Sequence, residues 1–322
     1  ATNVQVLKGA VTTYFTTKLA NVQTIKFDFY RDNTTTPLRM IGDSIRYHGV
    51  KYNLTGANHI NDTLLVNLPA TIPAINTLDS VTVYYHGNPT QSTSSRGYKK
   101  NTTSSLNIIS THSSGYFARQ WWPCKHNMTD KIDSVEFRIT APAAYTAVGN
   151  GVLKNGPIPP TVAGNKTWNW KSTYPVAHYL IAMAVYPYTV YNSPSATVSG
   201  TTVPIVNYLT ATTNTATIRG NCDAMKDVLE HYSTLFGDYP FKNEKYGHVT
   251  YTFGGGMENQ TASYIGTGAF NRSLLAHELA HQWWGDKVTC LKWNNIWVNE
   301  SFARYAEILY SEQFETSAAA IT

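Results

Sequence analysis

Cysteine is scarce in this sequence, with three residues in a chain of 322. Cys124, Cys222 and Cys290 lie far apart, so the chain has no CxxC pair of the kind that forms a cysteine zinc site. Because the number is odd, at least one thiol stays unpaired within the chain. One disulfide remains compatible with the sequence, and the spacing does not indicate which two cysteines would form it.

Charge is also sparse, since Lys, Arg, Asp and Glu together make up 14% of the residues and the net charge is +5. The basic residues are scattered, and no cluster exceeds the pair Lys99-Lys100. A nucleic-acid-binding surface would concentrate lysine and arginine in one place. The composition therefore favours a mildly basic protein without a nucleic-acid partner.

Long apolar runs are missing as well, and no segment reaches the length of a membrane span. The chain starts at Ala1, without a methionine and without the apolar region of a signal peptide. Together with the low charge and the many Thr and Asn residues, this start favours a secreted or periplasmic protein, with a cytoplasmic location as the alternative. Nothing in the sequence indicates the oligomeric state.

Residues 1–205 show strand-like runs between turn residues and no sustained helical periodicity. In one of these runs Ile25, Phe27 and Phe29 alternate with polar residues, and residues 43–48 and 50–54 flank a glycine as in a hairpin. We therefore predict an N-terminal domain of antiparallel sheets over residues 1–205, arranged as a sandwich or a saddle.

The pattern changes near residue 205. From Asn221 to Phe236 apolar residues recur at helical spacing, with Asn221 suited to cap the start of a helix and Gly237 its end. A strand-like segment, residues 247–253, follows. We therefore predict a second, mixed α/β domain over residues 206–322, so that a β domain precedes an α/β domain.

The chemistry is concentrated in residues 274–310, which contain an HExxH motif, His277-Glu278-Leu279-Ala280-His281. Positions i and i+4 share one face of a helix, so His277 and His281 can direct two imidazoles at one point. Alone, the motif also fits a histidine pair on a helix surface or in a core. If the two imidazoles hold a metal ion, Glu278 is placed to take a proton from a water molecule bound to that ion.

A third ligand distinguishes these interpretations. Glu300 follows His281 after eighteen residues, in a segment that reads as a second helix beginning near Asn294 or Asn295. A turn between the helices, with Gly285 ending the first, lets them pack together and their side chains converge. Two His and one Glu are the ligands of a hydrolytic zinc site with one position open for water, so we expect one Zn²⁺ per chain.

Three glycines, Gly254, Gly255 and Gly256, end the strand-like segment and are followed by Met257 and Glu258. Successive glycines permit the close approach of another backbone, but they equally fit a turn or a bulge. The glycines alone therefore leave the role of this segment open.

The order of these motifs resembles that of a known family. GGGMEN, then HExxH, then a glutamate after eighteen residues is similar to the gluzincin zinc aminopeptidases of the aminopeptidase N family, which includes leukotriene hydrolase. WWPC at residues 121–124 is similar to an element of that family's N-terminal domain, and the resemblance covers nearly the whole chain. It implies a saddle-like β domain followed by a thermolysin-like catalytic domain, and a zinc metallo-aminopeptidase that hydrolyses the N-terminal bond of peptides with a free N-terminus.

The resemblance also implies the roles of residues at the metal. His277, His281 and Glu300 would bind zinc, and Glu278 would be the general base that later donates its proton to the leaving amine. Glu307 lies seven residues after Glu300 on the same helix face. It either accepts a hydrogen bond from a ligand histidine and so orients it, or it is a solvated surface residue.

For the substrate, the resemblance implies that Glu258 pairs with the free α-amine and so fixes the first residue over the zinc. Met257 lies in the same motif. Gly254–Gly256 would run beside the substrate backbone and help to hold the scissile carbonyl.

The chain departs from the family pattern in three places. Ser301 stands where the family has glycine, and Ser114 where it has a Glu or Gln that assists amine binding. The chain also ends at Thr322, whereas family members continue with further helices and a tyrosine that stabilises the tetrahedral intermediate. We therefore expect a fragment with reduced or no activity, whose counterpart of that tyrosine lies beyond Thr322.

Two other functions stay open. A thermolysin-like endopeptidase would use the same zinc ligands, although an amine-binding carboxylate at Glu258 disfavours internal peptide bonds. A non-catalytic zinc-binding scaffold on the same fold is the other, and the intact Glu278 argues against it. The preferred N-terminal residue of the substrate does not follow from the sequence.

Overall fold

A computed structural model describes residues 7–31, 40–89, 96–100, 107–158 and 163–315. Strands and helices alternate little along this part of the chain, because nearly all of the strands come before the first α-helix. The strands are β1 (Leu7–Thr16), β2 (Val22–Asp28), β3 (Met40–Tyr47), β4 (Val50–Asn53), β5 (His59–Ile60), β6 (Thr63–Ile72), β7 (Leu78–Gly87), β8 (Gly97–Lys100), β9 (Ile109–His112), β10 (Val135–Pro142), β11 (Thr146–Gly149), β12 (Val152–Ile158), β13 (Asn165–Ser172), β14 (Met183–Tyr186), β15 (Thr189–Val198), β16 (Thr201–Leu209), β17 (His248–Tyr251), β18 (Gly256–Met257) and β19 (Ser263–Gly266). The helices are α1 (Ala216–Phe236), α2 (Arg272–Ala280) and α3 (Ile296–Phe314).

The chain forms two compact units. One contains Ala1–Tyr98 and Ser113–His126, and the other contains Lys99–His112 and Asn127–Thr322. The predicted boundary between residues 205 and 206 falls within β16, inside the second unit. The division into domains 1–205 and 206–322 therefore stays a prediction.

The first unit is built from antiparallel strands, in the orders β1-β7-β3-β4 and β2-β6-β5. Side chains alternate across each strand, so every second residue faces the interior. In β7 this places Val81, Val83 and Tyr85 in the core. The hairpin predicted around Gly49 is β3 and β4, which pair antiparallel from Ser44 onward.

The second unit contains further antiparallel strands and one mixed sheet. Strands β10, β13 and β12 form one antiparallel sheet, and β11, β14 and β9 are adjacent antiparallel strands of another. The predominantly antiparallel β structure predicted before the helical part is thereby confirmed. The mixed sheet has the order β15-β16-β17-β19-β18, with parallel pairing of β17 to both β16 and β19.

Helix α1 begins earlier than the apolar spacing predicts. The predicted cap, Asn221, lies inside the helix, which begins at Ala216 after Thr215. The Thr215 hydroxyl accepts a hydrogen bond from the Ile218 N–H and so satisfies one free donor at the helix start. The first turns carry little apolar surface, so hydrophobic periodicity did not reveal them.

Helix α2 ends at Ala280, five residues before the predicted stop at Gly285. Irregular turns continue from there, because the N–H groups of Gln282 and Trp283 donate to carbonyls three residues back rather than four. Helix α3 begins at Ile296, directly after the start predicted near Asn294 or Asn295, and a short 3-10 turn precedes it.

Helices α2 and α3 pack against one another and against α1, and their apolar faces share one core. Leu275 and Leu279 from α2 and Ala303 and Ala306 from α3 are fully buried there. This packing fixes the two helices that carry the predicted zinc ligands. None of the helices in the described ranges has the length and apolarity that a membrane crossing requires.

Candidate metal centre

Three predicted zinc ligands meet where α2 ends against α3. The Nε2 atoms of His277 and His281 lie 3.0 Å apart. The Oε2 atom of Glu300 lies 3.4 Å from the first and 3.5 Å from the second. In tetrahedral sites, zinc bonds of about 2.0–2.2 Å separate neighbouring ligand atoms by roughly 3.3–3.6 Å. The observed spacing is therefore close to that of three ligands around one zinc ion.

The other nitrogen of each histidine is held by an acceptor. His277 Nδ1 lies 2.7 Å from Glu307 Oε1, and His281 Nδ1 lies 3.1 Å from the Trp284 carbonyl oxygen. Since a carboxylate and a carbonyl only accept hydrogen bonds, these partners assign the imidazole hydrogen to Nδ1. In neutral imidazoles the lone pairs of the two Nε2 atoms would then face each other and Glu300, an arrangement that repels unless a proton or a metal cation lies between them.

The electrostatic potential between the three predicted ligands is negative. Burial lowers the pKa of His277, but the carboxylates of Glu300 and Glu307 outweigh it and raise the pKa to about 10. Burial likewise opposes the charged form of His281, yet the surrounding carboxylates, Glu258 among them, raise its pKa to about 9. The field that holds protons on the imidazoles would equally attract a dication, so the residues fit Zn²⁺.

Glu307 is not a solvated surface residue. Its Oε1 accepts from His277 Nδ1, and its Oε2 accepts from the Ser273 hydroxyl at 2.9 Å and from Arg304. These partners lower the pKa of the carboxyl group to about 2 despite its partial burial. An ionised acceptor at this distance fixes the ring orientation of a metal-ligating histidine.

The Glu278 side chain is buried, and it lies against strand β18 at Gly256. A Cβ atom on Gly256 would lie 2.1 Å from Glu278 Oε1, so the carboxylate lies directly against the backbone of β18. Within the described residues its Oε2 has no hydrogen-bond partner. Burial raises the pKa of Glu278, while His281 and His277 oppose that rise. A carboxylate with raised proton affinity beside a metal site suits a general base.

Glu258 lies next to this group. One carboxylate oxygen of Glu258, one of Glu278 and one ring nitrogen of His281 all lie within 4.8 Å of one another. The Glu258 side chain is buried, and in the described part of the chain no Lys or Arg forms an ion pair with it. The site therefore presents, beside the predicted zinc position, a carboxyl group that pairs with no Lys or Arg of the described residues.

The three glycines differ in what they require. Gly255 has a positive φ of 92°, which favours glycine, and Gly256 leaves no room for a side chain. A Cβ atom on Gly254 would meet no other atom within 4 Å. Met257 is buried in β18, where it pairs with Tyr264 of β19. Strand β18 is thus the edge of the mixed sheet within the described residues, and it runs beside Glu278.

Sequence reasoning did not find the residues that hold Glu258 in place. The turn from Glu258 to Thr261 is hydrogen-bonded to Gln282, Lys245 and Asn150, which are buried polar side chains from three other segments. Gln282 directly follows a predicted zinc ligand, and this adjacency was the one sequence signal that could have singled it out.

The three cysteines are free thiols in the structure, and none forms the disulfide that the sequence left open. Cys124 and Cys222 are buried, and burial raises the pKa of both thiols. They are therefore packed side chains without a charged or ligating role in the site.

Comparison with known proteins gives a consistent match. Residues 221–322 match the model of the Peptidase family M1 domain. Aminopeptidase N of Streptomyces lividans is 31% identical over 189 residues, which is 53% of this chain and 21% of that protein. Human aminopeptidase N is 28% identical over 234 residues, 65% of this chain and 23% of that protein.

The fold is similar to that of a solved enzyme. An M1 zinc metallopeptidase from Deinococcus radiodurans superimposes with a TM-score of 0.81 over 98% of this chain and 69% of that one, at 22% sequence identity. At this identity the match concerns the fold alone. The chain spans about a fifth to a quarter of the length of these curated relatives.

Proposed function

Residues 221–322 form a Peptidase family M1 domain, and from this premise we propose that the protein is a zinc aminopeptidase that removes the first residue of peptides. The observation that carries the proposal is the position of Glu258. Its carboxylate, for which the described residues offer no Lys or Arg partner, lies within 4.8 Å of Glu278 and His281. A peptide whose terminal ammonium pairs with Glu258 would therefore have its first carbonyl beside the metal ligands.

In this proposal His277, His281 and Glu300 hold one zinc ion. When bound, zinc lowers the pKa of a water molecule and polarises a carbonyl oxygen. Glu307 keeps the hydrogen of His277 on Nδ1, so that Nε2 remains available as a ligand.

Glu278 carries the proton transfer. Its carboxylate accepts a proton from the attacking water and later donates it to the amine that leaves. The raised pKa caused by burial favours holding that proton between the two steps. Gly256 allows the carboxylate to lie against β18, and an edge strand offers unpaired backbone groups to an extended substrate.

The role of Glu258 can be tested by comparing a chromogenic aminoacyl substrate with its N-acetylated form. Glu258→Gln keeps the shape and removes the charge, so we expect kcat/KM for the free-amine substrate to fall by about tenfold to a hundredfold. Hydrolysis of the acetylated substrate should not fall in this variant. Faster cleavage of the acetylated form by the unmodified protein would refute the proposal and favour the endopeptidase alternative.

The second alternative is a zinc-binding scaffold without catalysis. Metal analysis together with the same assay separates it from the enzyme, because the scaffold would hold one zinc per chain and show no turnover. Peptides with a free N-terminus are the proposed partners. Export from the cytoplasm is a further proposal that rests on composition, and fractionation of the source cells would test it.

A further inference from the structure

The turn that carries Glu258 has an unfavourable backbone. It connects β18 to β19, and Thr261 within it has a φ of 67°. A β-branched residue rarely adopts a positive φ, and such a conformation persists only where the surroundings impose it. The turn is therefore held from outside rather than by its own preference.

Three buried groups hold Thr261. Its N–H donates to Gln282 Oε1, its carbonyl oxygen accepts from Lys245 Nζ, and its hydroxyl oxygen accepts from the Gly151 N–H, each at 2.8 Å. The preceding carbonyl, that of Gln260, accepts from the Asn150 side chain at 2.8 Å. Every polar group of Thr261 is thus satisfied by a different segment of the second unit.

Gln282 is distinguished from the other partners because it holds the turn at two points. Besides accepting from Thr261, its Nε2 donates to the carbonyl oxygen of Glu258 at 3.2 Å. Gln282 is fully buried and directly follows the zinc ligand His281. One side chain amide therefore connects the zinc-binding segment to the residue proposed to bind the substrate amine.

The amide group suits these two partners. The turn offers one donor, the Thr261 N–H, and one acceptor, the Glu258 carbonyl, and a neutral amide provides an acceptor and a donor at once. An ionised carboxylate would provide acceptors only and would face the Glu258 carbonyl oxygen. An apolar side chain would leave both buried backbone groups unsatisfied.

We propose that Gln282 is a positioning residue that sets the distance between the zinc ligands and the Glu258 carboxylate, and thereby determines the preference for ligands with a free α-amine. The proposal rests on the proposed aminopeptidase function. If the bridge is lost, the turn can shift relative to α2, and Glu258 moves away from the place where the ammonium lies when the ligand is at the metal. The zinc ligands themselves keep their own supports, Glu307 and the Trp284 carbonyl.

The test compares two ligands that differ only in the amine. Alanine hydroxamate and propionohydroxamate both carry a zinc-binding group, and their affinities for the zinc-loaded protein are measured by titration calorimetry. The Kd of propionohydroxamate divided by the Kd of alanine hydroxamate reports the amine preference. In Gln282→Met we expect this ratio to fall about tenfold, while the Kd of propionohydroxamate and the zinc content stay unchanged.

Two further variants complete the test. Gln282→Glu keeps the shape and the acceptor for Thr261, but an ionised carboxylate has no donor for the Glu258 carbonyl oxygen and would face it, so the ratio is again expected to fall, about tenfold. Asn207→Leu removes another fully buried amide, which bonds His248 and Ser193 in the mixed sheet and none of the residues of the turn. It controls for general destabilisation and should leave the ratio unchanged.

The outcomes separate this inference from the proposed function. An unchanged ratio in both Gln282 variants, or an equal fall in Asn207→Leu, would overturn the positioning role. If the unmodified protein binds both hydroxamates equally, amine recognition itself is absent, and the aminopeptidase assignment falls together with this inference. A fall confined to the Gln282 variants, with zinc content intact, supports both.

Discussion

The buried ammonium of Lys245 predicts a stability that depends on pH. Burial lowers the pKa of this side chain to about 7, against an opposing effect of the neighbouring Glu244. The unfolded chain keeps its ordinary lysine pKa of about 10.4. Between pH 7 and pH 10 the unfolded state therefore binds more protons at Lys245 than the native state, and the free energy of unfolding rises with pH.

The size of the effect follows from this difference. Each pH unit fully inside the window contributes about 1.4 kcal/mol, and the native group is half protonated near pH 7. Lys245 therefore adds about 2 kcal/mol to the free energy of unfolding between pH 7 and pH 9. Other groups titrate as well, so the quantity to measure is the difference between the protein and Lys245→Met, which has no charge to lose.

Urea denaturation at pH 7 and pH 9 measures this difference. Relative to Lys245→Met, the unmodified protein should gain about 2 kcal/mol on going to pH 9. Lys242→Met is the matched control, because the Lys242 ammonium pairs with Asp238 at the surface, and its difference should not change with pH.

The reasoning would be refuted if the difference in free energy of unfolding between the unmodified protein and Lys245→Met were the same at pH 7 and pH 9. It would mean that the Thr261 carbonyl, 2.8 Å from the ammonium, and the Trp170 ring, 5.8 Å away, compensate the buried charge fully.

Two substitutions test the catalytic and metal sites. Gly256→Ala places a Cβ atom 2.1 Å from Glu278 Oε1 and should displace the base, so kcat is expected to fall about a hundredfold with zinc content unchanged. Gly268→Ala, which meets no atom within 4 Å and lies outside the glycine-rich segment, is the control, and an equal loss in both variants would contradict the argument. Glu307→Gln should weaken zinc binding about tenfold to a hundredfold in a chelator competition assay, because it removes the charge that holds a ligand histidine. Glu312→Gln, exposed on the same helix, should bind zinc normally, and an unchanged affinity in Glu307→Gln would show that the bond does not support the metal.

The sequence by itself determined which residues come together at the predicted zinc site. His277 and His281 are four residues apart on a helix, where backbone hydrogen bonding alone brings their side chains together. Glu300 and Glu307 are seven residues apart on a second helix and share a face for the same reason. Alternation in the strands likewise indicated the antiparallel β structure, since side-chain direction in a strand is fixed by its period of two.

Helix ends were predicted less well than helix interiors. Asn221 was expected to cap α1, but Thr215 does so, because Ile218 is the one residue of the first turn that packs against the core and a single residue shows no period. Gly285 was expected to end α2, but the helix ends at Ala280 with His281 as its C-cap. A helix end depends on which nearby group satisfies the free backbone donors and acceptors, and several residues can do so.

Only the tertiary structure decided how Glu258 is held. Its turn is bound by Lys245, Asn150 and Gln282, which lie 13 to 108 residues away along the chain. No periodicity connects such residues, because a buried polar group takes whichever partner the packing of distant segments brings within reach. The sequence thus specified the metal centre through local geometry. The turn that carries Glu258 is bonded by long-range hydrogen bonds that exist only in the folded protein.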